Sequence, residues 1–176
     1  MTAGLDRLWA GWRLPYLEAS STARPDGEGV EQACVFCRIL SRDEAPEQTY
    51  VVWRDETCAV VLNAYPYTSG HLMVMPLRHV ADLEDCSPEE AAGLWQVVGD
   101  AVVALKSAYA PEGLNVGANL GKAAGAGVPG HLHVHCVPRW AGDTNFMTSL
   151  AETRVLPEAL SSTFGRLRAA WPRPQP

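Results

Sequence analysis

One run of strict alternation constrains this chain more than any other feature: Gly130-His131-Leu132-His133-Val134-His135-Cys136-Val137-Pro138-Arg139. Histidine recurs at every second position from His131 to His135, and the residues between are apolar. Period-two alternation reads as a half-buried strand, because successive side chains point to opposite faces. Neighbours on one face then lie about 6.5–7 Å apart, at a rise of about 3.3 Å per residue. The expectation is three imidazoles projecting in a row into one space, with Leu132, Val134 and Cys136 backing them in a core. Pro138 cannot donate to a central ladder, so the strand is expected to stop there.

Imidazole serves as a metal ligand, or as a base or nucleophile that is largely neutral at pH 7. A row of three therefore allows a metal site, a phosphoryl or acyl transfer site, or three surface histidines on a polar strand face. The preceding loop, Asn119 to Gly130, carries Gly121, Gly125, Gly127 and Gly130. Glycine permits positive φ and close approach of a ligand to the backbone. Successive N–H groups in such a loop can form an anion-binding nest. A nest that ends at a histidine row suggests phosphate held in front of imidazole.

His131-Leu132-His133-Val134-His135-Cys136-Val137 has the pattern of, and resembles, the histidine triad (HIT) superfamily of nucleotide hydrolases and transferases. Leu62 to His79, through Asn63, Pro66, Gly70, His71 and Pro76, resembles the family's other signature, two strands around a Pro turn. Pro138-Arg139-Trp140-Ala141-Gly142-Asp143-Thr144-Asn145-Phe146-Met147 is similar to the bacterial branch acting on diadenosine tetraphosphate, as hydrolase or phosphorylase. The resemblance covers about residues 30–150. It departs from the family in the loop, where Gln followed by Ser or Thr is common. Ala126 and Gly127 stand here instead, and Gly130 reads as one extra residue. Phosphate contacts would then fall to backbone N–H groups.

The resemblance implies roles residue by residue. Asn63 corresponds to the ribose-binding Asp or Asn, and a side-chain amide can pair with a ribose hydroxyl; the residue-level alternative is a turn Asn. Tyr65 and Tyr67 either border the base or pack internally. His133, the middle of the triad, is expected to attack an α-phosphate and form a nucleotidyl-histidine, which water or phosphate resolves. His135, the backbone near Gly125, Ala126 and Gly127, and the Asn119 amide are the expected donors to the phosphoryl oxygens. A homodimer joined through sheet edges or the long helix is also implied.

Cys34-Val35-Phe36-Cys37 is half of a tetrahedral zinc site by spacing, or a redox pair. No thioredoxin-like pattern surrounds it. In family members that carry these cysteines, zinc is completed by the equivalents of His79 and His131. Such a closed Cys₂His₂ shell would be structural, and the triad chemistry would need no catalytic metal. Cys58, Cys86 and Cys136 read as small buried hydrophobes. Two rivals stay open: a hydrolase with zinc on the three triad histidines, and a non-enzymatic nucleotide-binding module.

The elements follow from pattern. Gln48–Trp53 and Cys58–Leu62 read as hairpin strands around Arg54–Thr57, and Gly70–Met75 as a third. Ser87, Pro88 and Glu90 make an N-cap, an N1 proline and a capping box. Leu94, Val97 or Val98, Ala101, Val102 and Leu105 form the buried stripe of a helix ending near Tyr109. Gly113–Asn119 is a strand feeding the loop, and a last helix is expected from Pro157 to Trp171. The order gives an α+β class: a HIT-like fold, with a mainly antiparallel five-stranded sheet, one long helix across a face and a C-terminal helix.

Three regions are expected: an N-terminal arm and mobile linker at 1–29, a HIT domain at 30–150, and a C-terminal helix and tail at 151–176. The arm, with Trp9, Trp12 and Tyr16, either packs on the core or covers the nucleotide site or a neighbouring subunit. A net charge of −6 argues against a general nucleic-acid surface. No apolar run approaches the roughly 20 residues of a membrane span. Met1 to Trp12 lacks a signal-peptide core, and with five cysteines this points to a reducing cytoplasm. Adenine nucleotides or dinucleoside polyphosphates are the expected ligands.

Overall fold

Residues 34–41, 45–143 and 158–174 are described by the structure, a computed structural model. The arm and linker at 1–29 and the motif residues 144–147 lie outside them.

Five strands form one sheet: β1 (Val51–Arg54), β2 (Cys58–Leu62), β3 (Leu72–Pro76), β4 (Gly113–Ala118) and β5 (Val134–Arg139), in the order β1-β2-β3-β5-β4. Every pairing is antiparallel. The first hairpin is locked by Asp55, whose carboxylate accepts the N–H groups of Thr57 and Cys58 at 2.8 and 2.7 Å. β1 is shorter than expected at its start. Pro46–Thr49 form one helical turn, α2, because Pro46 presets the first helical position, and Tyr50 at φ 55° reverses the chain into β1.

β2 and β3 are buried at every residue, so both faces of the sheet must be covered. On one face lies α3 (Pro88–Tyr109), started by the expected capping box. Ser87 Oγ accepts the Glu90 N–H at 3.2 Å, and the Glu90 carboxylate accepts the Ser87 N–H at 2.8 Å. Its buried stripe is Leu94, Val97, Val98, Ala101, Ala104 and Leu105, packed on Val60, Leu62, Leu72 and Val74. Ala104 holds the place expected of Val102, which is half-buried.

The opposite face carries a helix the pattern did not suggest. α1 (Val35–Leu40) buries Phe36 and Leu40 against Ala59, Val61, Met73 and Met75. Its six residues are too few to display a helical period.

Two elements end differently from expectation. β5 begins at Val134, so His131 and His133 precede it, and it runs through Pro138 to Arg139. The β3 ladder reaches only Cys136, while β4 pairs on to Arg139. A proline is tolerated there because one flank has no strand partner. The last helix, α4, is Leu160–Ala170, starting after the expected Pro157. Trp171 beyond it stacks on Trp53 at 5.8 Å, and the Trp53 indole N–H donates to the Pro174 carbonyl at 3.0 Å. The β1 edge is thereby covered, and β4 forms the other edge. Gly70, at φ +85°, lies where the loop before β3 meets α3 and β5. A Cβ there would come within 3.0 Å of Tyr109, 3.1 Å of Pro138 and 3.2 Å of Leu105. Among the described residues no helix is long and apolar enough to cross a membrane.

Candidate active site and metal cluster

The five histidines divide into two groups, and the triad is split between them. His131 faces away from its two neighbours. Its Nδ1 lies 3.5 Å from both the Cys34 and Cys37 sulfurs, and Cys37 Sγ is 3.2 Å from His79 Nδ1. Donor atoms of Cys34, Cys37, His79 and His131 all lie within 4.8 Å of one another. A tetrahedral ion with bonds of about 2.0–2.3 Å needs its ligands about 3.3–3.8 Å apart, so these contacts fit. The His131 Nε2–H donates to the Pro76 carbonyl at 2.9 Å, which leaves the Nδ1 lone pair for coordination. A Cys₂His₂ cluster able to hold a metal is therefore present. The expected single row of three imidazoles is not. Val134 opens β5 only after His131 and His133, so strand alternation does not govern them. A metal held by all three triad histidines is ruled out by this divergence.

His71, His133 and His135 form the second group, with the His133 and His135 ring centroids 5.0 Å apart and those of His71 and His135 5.1 Å apart. His133 is buried, and its Nδ1–H donates to the His131 carbonyl at 2.7 Å. The Nε2 atom is then the bare nitrogen. Burial holds His133 below the ordinary imidazole value, against the opposing pull of that carbonyl. His135 is held down to about 4, first by burial and then by His133 beside it. Both rings are neutral at pH 7.

Sequence reasoning gave His71 no role, yet it sets the tautomer of His135. The Tyr67 backbone N–H donates to His71 Nδ1 at 3.1 Å, so the His71 proton resides on Nε2. That Nε2 is 2.9 Å from His135 Nδ1 and donates to it. Neutral His135 therefore keeps its own proton on Nε2. One ring of the pair offers a lone pair and the other an N–H. Sixty-four positions separate His71 from His135, so no local pattern pairs them; the only signal was a histidine opening a strand inside the family signature.

These two rings close the end of a cavity of about 640 Å³. Val35, Phe36 and Ile39 of α1 line it on one side, with Val61, Leu62 and Met73 of the sheet, and Asn63, Ala64, Tyr65 and Tyr67 with Gly125, Gly127 and Val128 complete the lining. Apolar walls with a few convergent polar groups suit a nucleoside. Asn63 lines the cavity and also braces its own loop, its side-chain Oδ1 accepting the Tyr65 N–H at 2.9 Å. Tyr65 and Tyr67 both border it, and Tyr67 also packs 4.5 Å from the His71 ring.

The loop residues divide. The Gly125 and Ala126 N–H groups donate to the Lys122 and Gly121 carbonyls at 2.9 and 3.3 Å, which leaves Gly127 to carry the backbone expectation. Ala126 is buried, and neither it nor Asn119 lines the cavity. Arg139 is held by Asp143 at 2.6 and 2.7 Å and by Asn115 at 2.9 Å, so its guanidinium is engaged by neighbouring side chains. Of the three remaining cysteines, Cys58 and Cys136 are buried as expected and Cys86 is half-buried. Burial pushes the Cys136 thiol up to about 12.

The HIT domain family model matches residues 43–142, spanning the signature strands, the loop and the triad. The chain belongs to the HIT family. Among relatives of known name is the AP-4-A phosphorylase of Mycobacterium tuberculosis, 40% identical over 169 residues, 96% of this chain and 86% of that one. Among solved structures, a zinc-bound histidine triad family protein from Mycobacterium smegmatis aligns with a TM-score of 0.64. It is 35% identical, over 80% of this chain and 94% of that one. A hypothetical histidine triad nucleotide-binding protein from Sulfolobus tokodaii aligns with the same TM-score. It is 31% identical, over 78% of this chain and 91% of that one. The HIT assignment agrees with the fold and with the family resemblance, and this chain is an enzyme of that family related to AP-4-A phosphorylase.

Proposed function

We propose that the chain cleaves dinucleoside polyphosphates of the diadenosine tetraphosphate type by phosphorolysis, with His133 as nucleophile. The observation that carries this is the bare Nε2 of a neutral, buried His133, oriented by the His131 carbonyl at one end of a nucleoside-sized cavity. Nε2 attacks the α-phosphorus, an N–P bond forms, and the P–O bond to the polyphosphate breaks. The His135 Nε2–H donates to a phosphoryl or departing oxygen, and the Gly127 amide is the loop's candidate donor. Asn63 takes a ribose hydroxyl. Phosphate then attacks the nucleotidyl-histidine and regenerates the bare nitrogen, giving ADP and ATP from diadenosine tetraphosphate. The phosphorylase named among the relatives, and a loop with no side chain larger than Ala at 126 and 127, favour phosphate over water as acceptor.

Cys34, Cys37, His79 and His131 would hold zinc, and four protein ligands leave no open position, so its contribution is structural. The β4 edge, where Val116 is exposed, supports a homodimer paired through that edge. The acidic net charge counts against a general nucleic-acid surface, and a cytoplasmic setting suits reduced cysteines.

The test is turnover of diadenosine tetraphosphate in ¹⁸O-labelled water with added phosphate, followed by ³¹P NMR. A rate that rises with phosphate, with no ¹⁸O in the nucleotides, supports the proposal. Label entering AMP at a rate indifferent to phosphate makes the enzyme a hydrolase. No turnover with or without chelator leaves the nucleotide-binding module.

A further inference from the structure

We infer that α1 couples the Cys₂His₂ cluster to the nucleotide cavity, with Phe36 as positioning residue, so that metal occupancy sets nucleotide affinity as well as stability. The inference rests on the nucleotide and metal readings above.

Two sets of residues interleave on this one short helix. Cys34 and Cys37 reach the cluster, while Val35, Phe36 and Ile39 form the cavity wall. Phe36, between the two thiols, sets its ring edge-on against both groups of histidines, 5.6 Å from His131 and 5.0 Å from His133. A helix of six residues has no stability of its own, since nucleation is not repaid over so short a length. Its position depends on what holds it. Arg54 donates to the Leu40 carbonyl at 3.0 Å at the C-terminal end, and the N-cap Cys34 makes no side-chain capping bond at the other. Among the described residues, the polar anchor of the N-terminal end is the cluster itself.

His131 gives a second link. Its ring is held on both nitrogens, by the Pro76 carbonyl and by the sulfurs, and its own carbonyl accepts the His133 Nδ1–H. Loss of the cluster would loosen that ring and, two residues on, the bond that sets the His133 tautomer. Wall and nucleophile are thus held through the same four side chains.

The experiment uses the full chain as purified, with zinc content measured and AMP as probe. Metal is stripped with a chelator at neutral pH, and AMP binding is followed by calorimetry, with hydrogen exchange over α1 and ¹⁵N shifts of the His133 ring. The expected result is at least a tenfold loss of AMP affinity, faster exchange in α1, averaged His133 nitrogens, and recovery on adding zinc; couplings between sites typically run from about 5- to 150-fold. If stripping unfolds the chain, Phe36→Ala decides. It should keep its zinc yet lose at least fivefold more AMP affinity than Ile39→Ala, which trims the same cavity wall but carries no ring between the two thiols, and move the His133 ¹⁵N resonances toward their average. A loss in zinc-loaded Phe36→Ala no greater than that in Ile39→Ala, or AMP affinity within twofold of wild type in folded metal-free protein, overturns the coupling. A wild-type chain that binds neither AMP nor zinc overturns instead the readings beneath it.

Discussion

At His133 the decisive quantity is which nitrogen carries the proton and at what pH. The His131 carbonyl places it on Nδ1, and burial keeps the ring from taking a second one. Replacing His133 by Ala removes the group proposed to form the N–P bond. Turnover should fall by on the order of 10³-fold or more, with AMP affinity retained. Activity within tenfold of wild type would remove His133 from the mechanism. The sign of the pH dependence follows from the same facts. A depressed imidazole stays in its reactive neutral form at neutral pH and loses it only as pH falls through the depressed value. The acid limb of kcat/KM, which reports the free enzyme, should therefore lie below pH 6.5. A limb at 7 or above would contradict this. His133 was legible because its neighbours alternate around it. His71 was not, because its partner is brought to it only by the pairing of Met73 in β3 with His135 in β5.

At the level of elements, local signals were read best where they are self-contained. The Ser87-Pro88-Glu89-Glu90 start of α3 closes within four residues, and the capping box forms as written. Arg78 reinforces it, donating to both Glu90 oxygens at 2.7 Å and holding that carboxyl down to about 2. Ser87→Ala should cost about 1 kcal/mol of stability, visible in a denaturant titration, with turnover unchanged. A loss of turnover at equal stability would instead tie this cap to the cavity. Elements made by tertiary contacts were poorly legible. α1 shows no period of its own, α2 interrupts what reads as one strand, and β5 passes through a proline because only one of its flanks is paired there. The same holds for the Gly125 and Ala126 amides, whose partners within the loop depend on a backbone path that composition does not fix.

For the whole molecule, the sheet order brings the first residues of the described chain against its middle and its end. Cys34 meets His131 across 97 positions, and Trp53 meets Pro174 across 121. Ligand spacing alone gave half the metal cluster; the other half came from the family resemblance. Purified protein should carry about one zinc per chain, and Cys34→Ser should lower Tm, at about 2–4 °C per kcal/mol lost in a chain of this size. Elemental analysis that finds no metal in chelator-free preparations would count against the cluster. Light scattering at micromolar concentration should give twice the monomer mass. The geometry around Gly70 has a bearing on genetics. A single added methyl there presses on a helix and a strand at once, and its φ is one that L side chains rarely adopt. In a saturation library scored for both abundance and activity, position 70 should behave like position 133 on the activity axis and unlike it on the other. Lesions at 133 leave soluble but silent protein, whereas those at 70 are depleted from the cell before catalysis is ever asked of them.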